Sequence, residues 1–457
     1  MNSEQQAAFE PNIDPRYNLL NNKIPVDISI HNSTIALIEP DEANSNGAWN
    51  DKTKEKTIKF SLESSGNQRD PLASYVLKWK GHAETSTGAA VDPNSVGIPF
   101  YVLAAMISGK HLKLQGKSVE IQQGGADYEL FLRALCELSY KTLESRSDIF
   151  AQPTIESTVD LAGGLSPETV ARSHKYLTDA AGYKIYHQFA VPLSLIFSSL
   201  QDQAAFVEYT KMNIELMLKA QNDILFQTSA NTDENLYKID EIQIVSYQCN
   251  MSTSQDIQEM KATLNMQNGQ NFFYKFYDID IPPYKTGGSV KRSDISNAEA
   301  VILAFDGRVL LNHVNRYQFT ANGLKSIYPL YGKVSPVNEP ITIDPANRYC
   351  SIEPYLAYQR MIKKESSLFF DPPLKYERNF QASLNPEDDA PYFIWCCSFN
   401  SSFLPKVSEA KEILIKTTQQ SALGPAIANP DCTCITAAIR WQMFLVDNAG
   451  VSKVFFT

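Results

Sequence analysis

The residues with most potential for chemistry are six histidines, seven cysteines, one run of three carboxylates and a Gly-Lys-Ser triplet. Gly116-Lys117-Ser118 has the ending of a phosphate-binding loop, in which backbone N–H groups ring the phosphates and the lysine reaches the outer ones. That chemistry needs a second glycine five residues upstream. Position 111 is His111, and the nearest upstream glycine is Gly109. The flanks alternate apolar and polar, Leu112 and Leu114 before the triplet and Val119 and Ile121 after it. This is the period of a strand on both sides, so the triplet reads as a hairpin turn.

The other candidates fare similarly. Two imidazoles placed two apart on a strand project to one side, which is how a two-domain cupin holds a metal. His31, His82, His111, His174, His187 and His313 contain no such pair. Cys396-Cys397 and Cys432-Thr-Cys434 lack the Cys-x2-Cys or histidine spacing of a tetrahedral zinc site, and read as small buried hydrophobes. "AGGLSPE" has no nucleophile elbow; Ser166 reads as a helix cap with Pro167 at the first helical position. Glu387-Asp388-Asp389 would serve glycoside hydrolysis only with two acids facing across a cleft, and consecutive acids read as a solvated loop. "PPYKTGG" and "AFDGR" read as turns. No Gly-x-Gly-x-x-Gly, His-Glu-x-x-His or EF-hand loop occurs. The sequence assigns no catalytic residue, no metal ligand and no cofactor, and the expectation is a protein that is not an enzyme.

The 457 residues give room for two large domains. Aromatics make up 11%, and 24 prolines with 20 glycines interrupt the chain often, as many short strands joined by loops require. A net charge of −10 lacks the basic footprint of a sequence-specific nucleic-acid binder. The opening "MNSEQQAAFEPNIDPRYNLL" shows no secretory pattern, and runs such as "FAVPLSLIF" fall far below the roughly 20 apolar residues of a membrane span. The expectation is no transmembrane segment and synthesis in the cytoplasm, an odd cysteine count fitting a reducing compartment. Sequons at Asn32, Asn250 and Asn400 then read as chance matches.

The elements are strand-like. "VDISIHNSTIALI", "TIKFSL" and "SYVLKW" precede the hairpin, and Ile58, Phe60 and Leu62 alternate with Lys59 and Ser61. In "ADYELFLRALCELSYKTL" the period changes: Tyr128, Phe131, Leu132, Leu135 and Leu138 have the spacing of an amphipathic helix. After an irregular stretch come "YKIYHQFAVPLSLIF", "MNIELML" and "YKIDEIQIVSY". The second half repeats the order: "AEAVILAF", "RYQFTANGLKSIY" and "PLYGKVSPV" with Gly332-Lys333, a helical "EPYLAYQRMIKK", then "PYFIWCCSF", "EILIKTT" and "TAAIRWQMFLV". Ile413 and Trp441 each stand 199 residues after Ile214 and Ile242. This ordered agreement predicts one antiparallel sandwich built twice, with the boundary near the polar "NMSTSQD".

The arrangement resembles the double jelly-roll major capsid proteins of small eukaryotic DNA viruses and polinton-type elements. "HLKLQGKSVEIQQGGADYELFLRAL" is similar to the family's strand, glycine hairpin and tyrosine-bearing helix. "FAVPLSLIFSSL" with "KMNIELML" resembles its Pro-Leu strand and the sheet strand after it, and "NRYQFTANGLKSIYPLYGKVSP" resembles the hairpin of its second half. The resemblance implies an all-β chain of two tandem eight-stranded antiparallel jelly-rolls with short helices in long inter-strand loops. The implied divisions are an N-terminal arm at 1–23, a first jelly-roll at 24–250 and a second at 251–457.

It further implies a structural major capsid protein. Homotrimers would form pseudo-hexagonal capsomers of an icosahedral shell in the virion, assembled in the nucleus or a viral factory. The partners implied are neighbouring capsomers, penton proteins and minor capsid proteins. Stretches 81–109, 126–182 and 338–390 are the loops expected to rise outward or clasp neighbours. The readings that compete are a minor capsid or spike protein, and a two-domain β-sandwich that binds or acts on carbohydrate.

Overall fold

The computed structural model describes residues 30–41, 49–63, 68–69, 75–151, 164–200, 211–228, 231–251, 270–284, 288–293, 298–306, 315–331, 335, 339–343, 352–362, 371–380, 392–398, 412–419, 433–447 and 450–456. The expected arm at 1–23, Gly332-Lys333, Glu387-Asp388-Asp389, Cys432 and His313 lie outside them.

Eleven strands fall in the first half: β1 (Ile30–Ile38), β2 (Lys56–Glu63), β3 (Gln68–Arg69), β4 (Val76–Thr85), β5 (Val96–Gly97), β6 (Ile107–Leu114), β7 (Lys117–Gln122), β8 (His187–Pro192), β9 (Lys211–Leu218), β10 (Phe226–Gln227) and β11 (Asn235–Met251). One sheet runs β1-β11-β4-β8 and a second β2-β9-β6-β7, with β10 and β5 forming a separate two-stranded pair. Nine more follow: β12 (Gln270–Asp280), β13 (Ser289–Ser293), β14 (Ala298–Phe305), β15 (Leu324–Tyr331), β16 (Ile341–Thr342), β17 (Trp395–Ser398), β18 (Glu412–Gln419), β19 (Cys434–Asp447) and β20 (Gly450–Phe456). They repeat the arrangement as β12-β19-β14-β17 and β13-β18-β15-β16. Each half is thus four strands over four, with first beside last, and no sheet takes strands from both halves. One addition also corresponds: β3 pairs with β11 beyond the end of β4, and β20 pairs with β19 beyond the end of β14.

Local sequence accounts for much of this. On β2, Ile58, Phe60 and Leu62 are buried in the core while Lys59 is exposed, as alternation requires. The β6–β7 hairpin closes through Gln115 at φ 49 and Gly116 at φ 77, the paired left-handed residues of a tight turn that follows strand twist. The Gly-Lys pair is a turn, not a phosphate loop. Its counterpart differs, because residues 332–340 separate β15 from β16. Pro192 ends β8, an edge strand that can spare an N–H, and Leu193–Ile196 then turns as a helix. This corrects the continuous strand expected across 183–197. "RYQFTANG" is also not strand: Asn322 and Gly323 at φ 54 and 61 form a turn, and β15 begins at Leu324.

Among the described residues, three helices have ten or more residues: α1 (Ala126–Glu137), α2 (Pro167–Tyr176) and α3 (Ile352–Ile362). Ser166 caps α2, its Oγ accepting from the Thr169 N–H at 3.3 Å with Pro167 next in line, as the sequence predicts.

Every strand pairing is antiparallel. In the first half, four of the six connections between the two main sheets, 39–55, 86–106, 123–186 and 219–234, leave and re-enter the strands at one end. Backbone bonds tie them together there: Gln221 N–H to Asp51 O (2.9 Å), Thr228 N–H to Ser95 O (2.9 Å) and Ala151 N–H to Phe100 O (2.7 Å). The short hairpin marks the other end, where the Gln115 N–H donates to Lys211 O at 2.7 Å.

Candidate functional site at the loop-end seam

The two halves meet along α1, which leaves the first half after β7. Its start is fixed by Gly125, whose φ of +72 suits glycine and whose missing Cβ would stand 2.7 Å from Ile279 Cγ2 on β12. The apolar positions Tyr128, Phe131, Leu132 and Leu135 are buried, as the helical spacing predicts. The polar positions Asp127, Glu129 and Arg133 are buried too, so the helix has no solvated face. Sequence periodicity could not reveal this, because Lys110, Lys219 and the Ser194, Leu195 and Ile196 carbonyls of the first half, with Tyr317 of the second, cover what an isolated helix would expose.

The contacts across the seam are specific. Tyr317, from the connection between β14 and β15, stacks on Phe131 with centroids 4.0 Å apart and planes 14° apart. Its hydroxyl donates to Asp127 at 3.1 Å and accepts from Lys219 Nζ at 3.0 Å, and Lys219 also pairs directly with Asp127. Tyr128 Oη donates to Asp306 Oδ2 (3.3 Å), Tyr358 Oη on α3 to the Leu135 carbonyl (2.7 Å), and Tyr274 Oη on β12 to the Val119 carbonyl (2.6 Å). The Tyr140 N–H donates to Asp371 O at 2.8 Å. Residues from connections at the loop end of both halves interlock, so the two sandwiches stand the same way up. Described residues of these long loops clasp the sibling half of the same chain.

Beneath α1 lies a buried ion cluster. Lys110 Nζ on β6 donates to Glu120 (2.7 Å), Glu129 (2.6 Å) and the Ile196 carbonyl (2.6 Å), using all three hydrogens. Burial pushes the Glu129 carboxyl up to about 7, the Glu120 charge adding to it against the pull of Lys110 and Arg133. Glu120 is as deeply buried, but Lys110, Arg133 and the Ser199 N–H at 2.8 Å hold its carboxyl below the usual range. The geometry agrees, since Glu129 Oε2 has no partner. A carboxyl titrating near neutrality suits acid–base work, but Glu129 is 0% and Lys110 2% exposed, so no substrate reaches either. The cluster holds α1 in place.

Among the described residues, the histidines do not converge on a shared site. His82 Nδ1 lies 2.9 Å from Asp240, His111 Nε2 lies 2.7 Å from Ser118 Oγ, and His187 Nε2 lies 2.9 Å from Tyr237 Oη. Among the described residues no three histidine, cysteine or carboxylate side chains group as a metal site. Cys396, Cys397 and Cys434 are buried core residues, as read from the sequence. Asp306 in "AFDGR", read only as part of a turn, is fully buried and receives Tyr128. An aspartate ending an apolar strand carries no signal of a partner 178 positions away.

Beside the seam, a cleft of about 310 Å³ opens between α1, α3 and the outer face of β12 and β19. Phe273 and Trp441 line it at 56% and 41% exposure, with Lys275 Nζ lying 5.6 Å from the Trp441 ring centre.

This geometry, two upright four-over-four sandwiches with first strand beside last, has counterparts among solved structures. The mavirus major capsid protein is 13% identical and superposes over 96% of this chain and 93% of its own, with a TM-score of 0.50. The chain has a double jelly-roll fold. A chain in the Sputnik virophage structure is 11% identical, covering 97% of this double jelly-roll and 92% of its own length, with a TM-score of 0.57. No protein-family description matches the sequence. No curated protein matches it either. At such identities the likeness lies in the fold of the double jelly-roll and not in its individual residues.

Proposed function

We propose that this double jelly-roll is the major capsid protein of an icosahedral DNA-virus shell, three copies forming a pseudo-hexagonal capsomer. The observation that carries the proposal is the duplicated strand order over nearly the whole chain, shared with the mavirus major capsid protein. Two like sandwiches side by side let a three-fold assembly present six similar corners, and closed symmetry satisfies every interface. The division is a first jelly-roll at 24–250 and a second at 251–457, with 1–23 an arm beneath the shell. Penton and minor capsid proteins are the further partners, and the role is structural rather than enzymatic. Exposed Phe273 and Trp441, and Ile35 and Leu37 at 63% and 61% exposure on edge strand β1, supply apolar area for contacts between copies. The test is the mass of the purified chain in dilute solution. A species near three times 51.2 kDa that resists dilution, and shells on concentration, are expected. A monomer that never assembles overturns the reading.

A further inference from the structure

A second cleft, of about 350 Å³, lies at the loop end of the first half, in the connection between β9 and β11. Gln227, Thr228, Asn231, Asp233, Glu234 and Asn235 line it, and each brings a side-chain oxygen. No lysine, arginine or histidine does, so two carboxylates leave the cleft with an uncompensated double negative charge. Asn235 is only 6% exposed. Its Nδ2 donates to Gln227 Oε1 (2.6 Å) and to Asp233 O (3.0 Å), which commits both amide hydrogens and fixes the orientation of the group. Its Oδ1 has no partner. A buried acceptor without a donor is rare and calls for an explanation.

Charge and the bare acceptor have one common answer. We propose that this cleft binds a hard divalent cation of the calcium class, with Asn235 Oδ1 and the Asp233 and Glu234 carboxylates as ligands and water completing the shell. Calcium accepts six to eight oxygens in adaptable geometry, amide oxygens included, whereas magnesium demands a compact octahedron. Asn231, Asp233 and Asn235 repeat the every-other-residue placement of oxygen ligands in calcium loops, although Leu236 follows where an EF-hand places glycine. With two carboxylates among neutral oxygens, the site falls in the weak range of extracellular modules, Kd about 10⁻⁴ to 10⁻³ M. The bound ion would pin the connection 219–234 to β11 and to the 86–106 connection, which Asn231 already reaches through Ser95 Oγ at 2.8 Å.

The experiment titrates the full chain with CaCl2 by calorimetry and thermal melting, against MgCl2 and NaCl at matched ionic strength. One calcium site is expected, and at 10 mM CaCl2 the folded population should gain by about tenfold or more, raising Tm by a few degrees. MgCl2 should do less, and Asp233→Asn with Glu234→Gln should abolish the response. A calcium response equal to that of NaCl, or one retained in the double variant, overturns the proposal. If that variant does not fold, Tb³⁺ bound to the native chain is located by its anomalous scattering. A peak beside Asn235, displaced by CaCl2, supports the site, and a peak elsewhere or none overturns it.

Discussion

The hydroxyl of Tyr358 donates to the main-chain carbonyl of Leu135 across 2.7 Å, joining α3 of the second jelly-roll to α1 of the first. Both groups are buried, so the bond has no water to replace it. Tyr358→Phe should cost about 1–3 kcal/mol by leaving that carbonyl bare. Denaturant unfolding should show a lower midpoint with an unchanged slope. Tyr355→Phe, whose half-buried hydroxyl only accepts from Gln359, should cost less.

Gly125→Ala combines a left-handed backbone with a clash against Ile279 Cγ2. The expected loss is about 1–3 kcal/mol. Adding Ile279→Ala should relieve the clash but not the backbone strain. The double variant should therefore lose less than the sum of the two single ones in thermal melts.

Lys110→Met would leave Glu120 and Glu129 facing each other without their cation, at a cost of about 3–5 kcal/mol. Glu129→Gln should cost far less near pH 7. Because the folded value near 7 lies above the ordinary 4.5, the folded chain binds the proton more tightly. The stabilisation from protonated Glu129 is full below pH 4.5 and disappears as pH rises through 7, on the order of 3 kcal/mol. Glu129→Gln should flatten that part of the stability profile.

His187 acts in the opposite direction. Burial lowers its imidazole to about 4. Trp79 Nε1–H donates to Tyr237 Oη (3.2 Å), and that oxygen lies 2.9 Å from His187 Nε2. With the folded value below the ordinary 6.5, the unfolded chain takes the proton first. Stability is full above 6.5 and is lost as pH falls through 4, by about 3 kcal/mol. His187→Gln should remove most of this acid limb while leaving the neutral-pH spectrum of Trp79 unchanged.

Several strands were readable from the sequence: β2, β9 and β18 alternate with one buried face, and β11 and β19 are long, β-branched and apolar runs, so all five lie within a few residues of their expected places. β12 was not. In "QNFFYKFYDID" aromatic residues fall on both faces, and no period of two emerges. The structure gives the reason: Tyr274 and Phe276 are buried on one face, and Tyr277 and Ile279 on the other, where Gly125 at the start of α1 meets Ile279. The short β13 carries no readable signal either, because its partner β18 lies more than a hundred residues along the chain; β20 was not read although it pairs with the adjacent β19.

The sequence by itself determined the antiparallel plan, its repetition and the lack of a recognisable catalytic motif, because alternation, turn residues and motif spacing are local properties. Tertiary structure alone decided that α1 is buried on every side, that Asp127, Lys219 and Tyr317 meet, and that Asn235 leaves an oxygen bare in an anionic cleft. Those facts depend on which distant surfaces come into contact. A residue's chemistry follows from what surrounds it, and in a fold built from non-local strand pairing its surroundings come from remote parts of the chain.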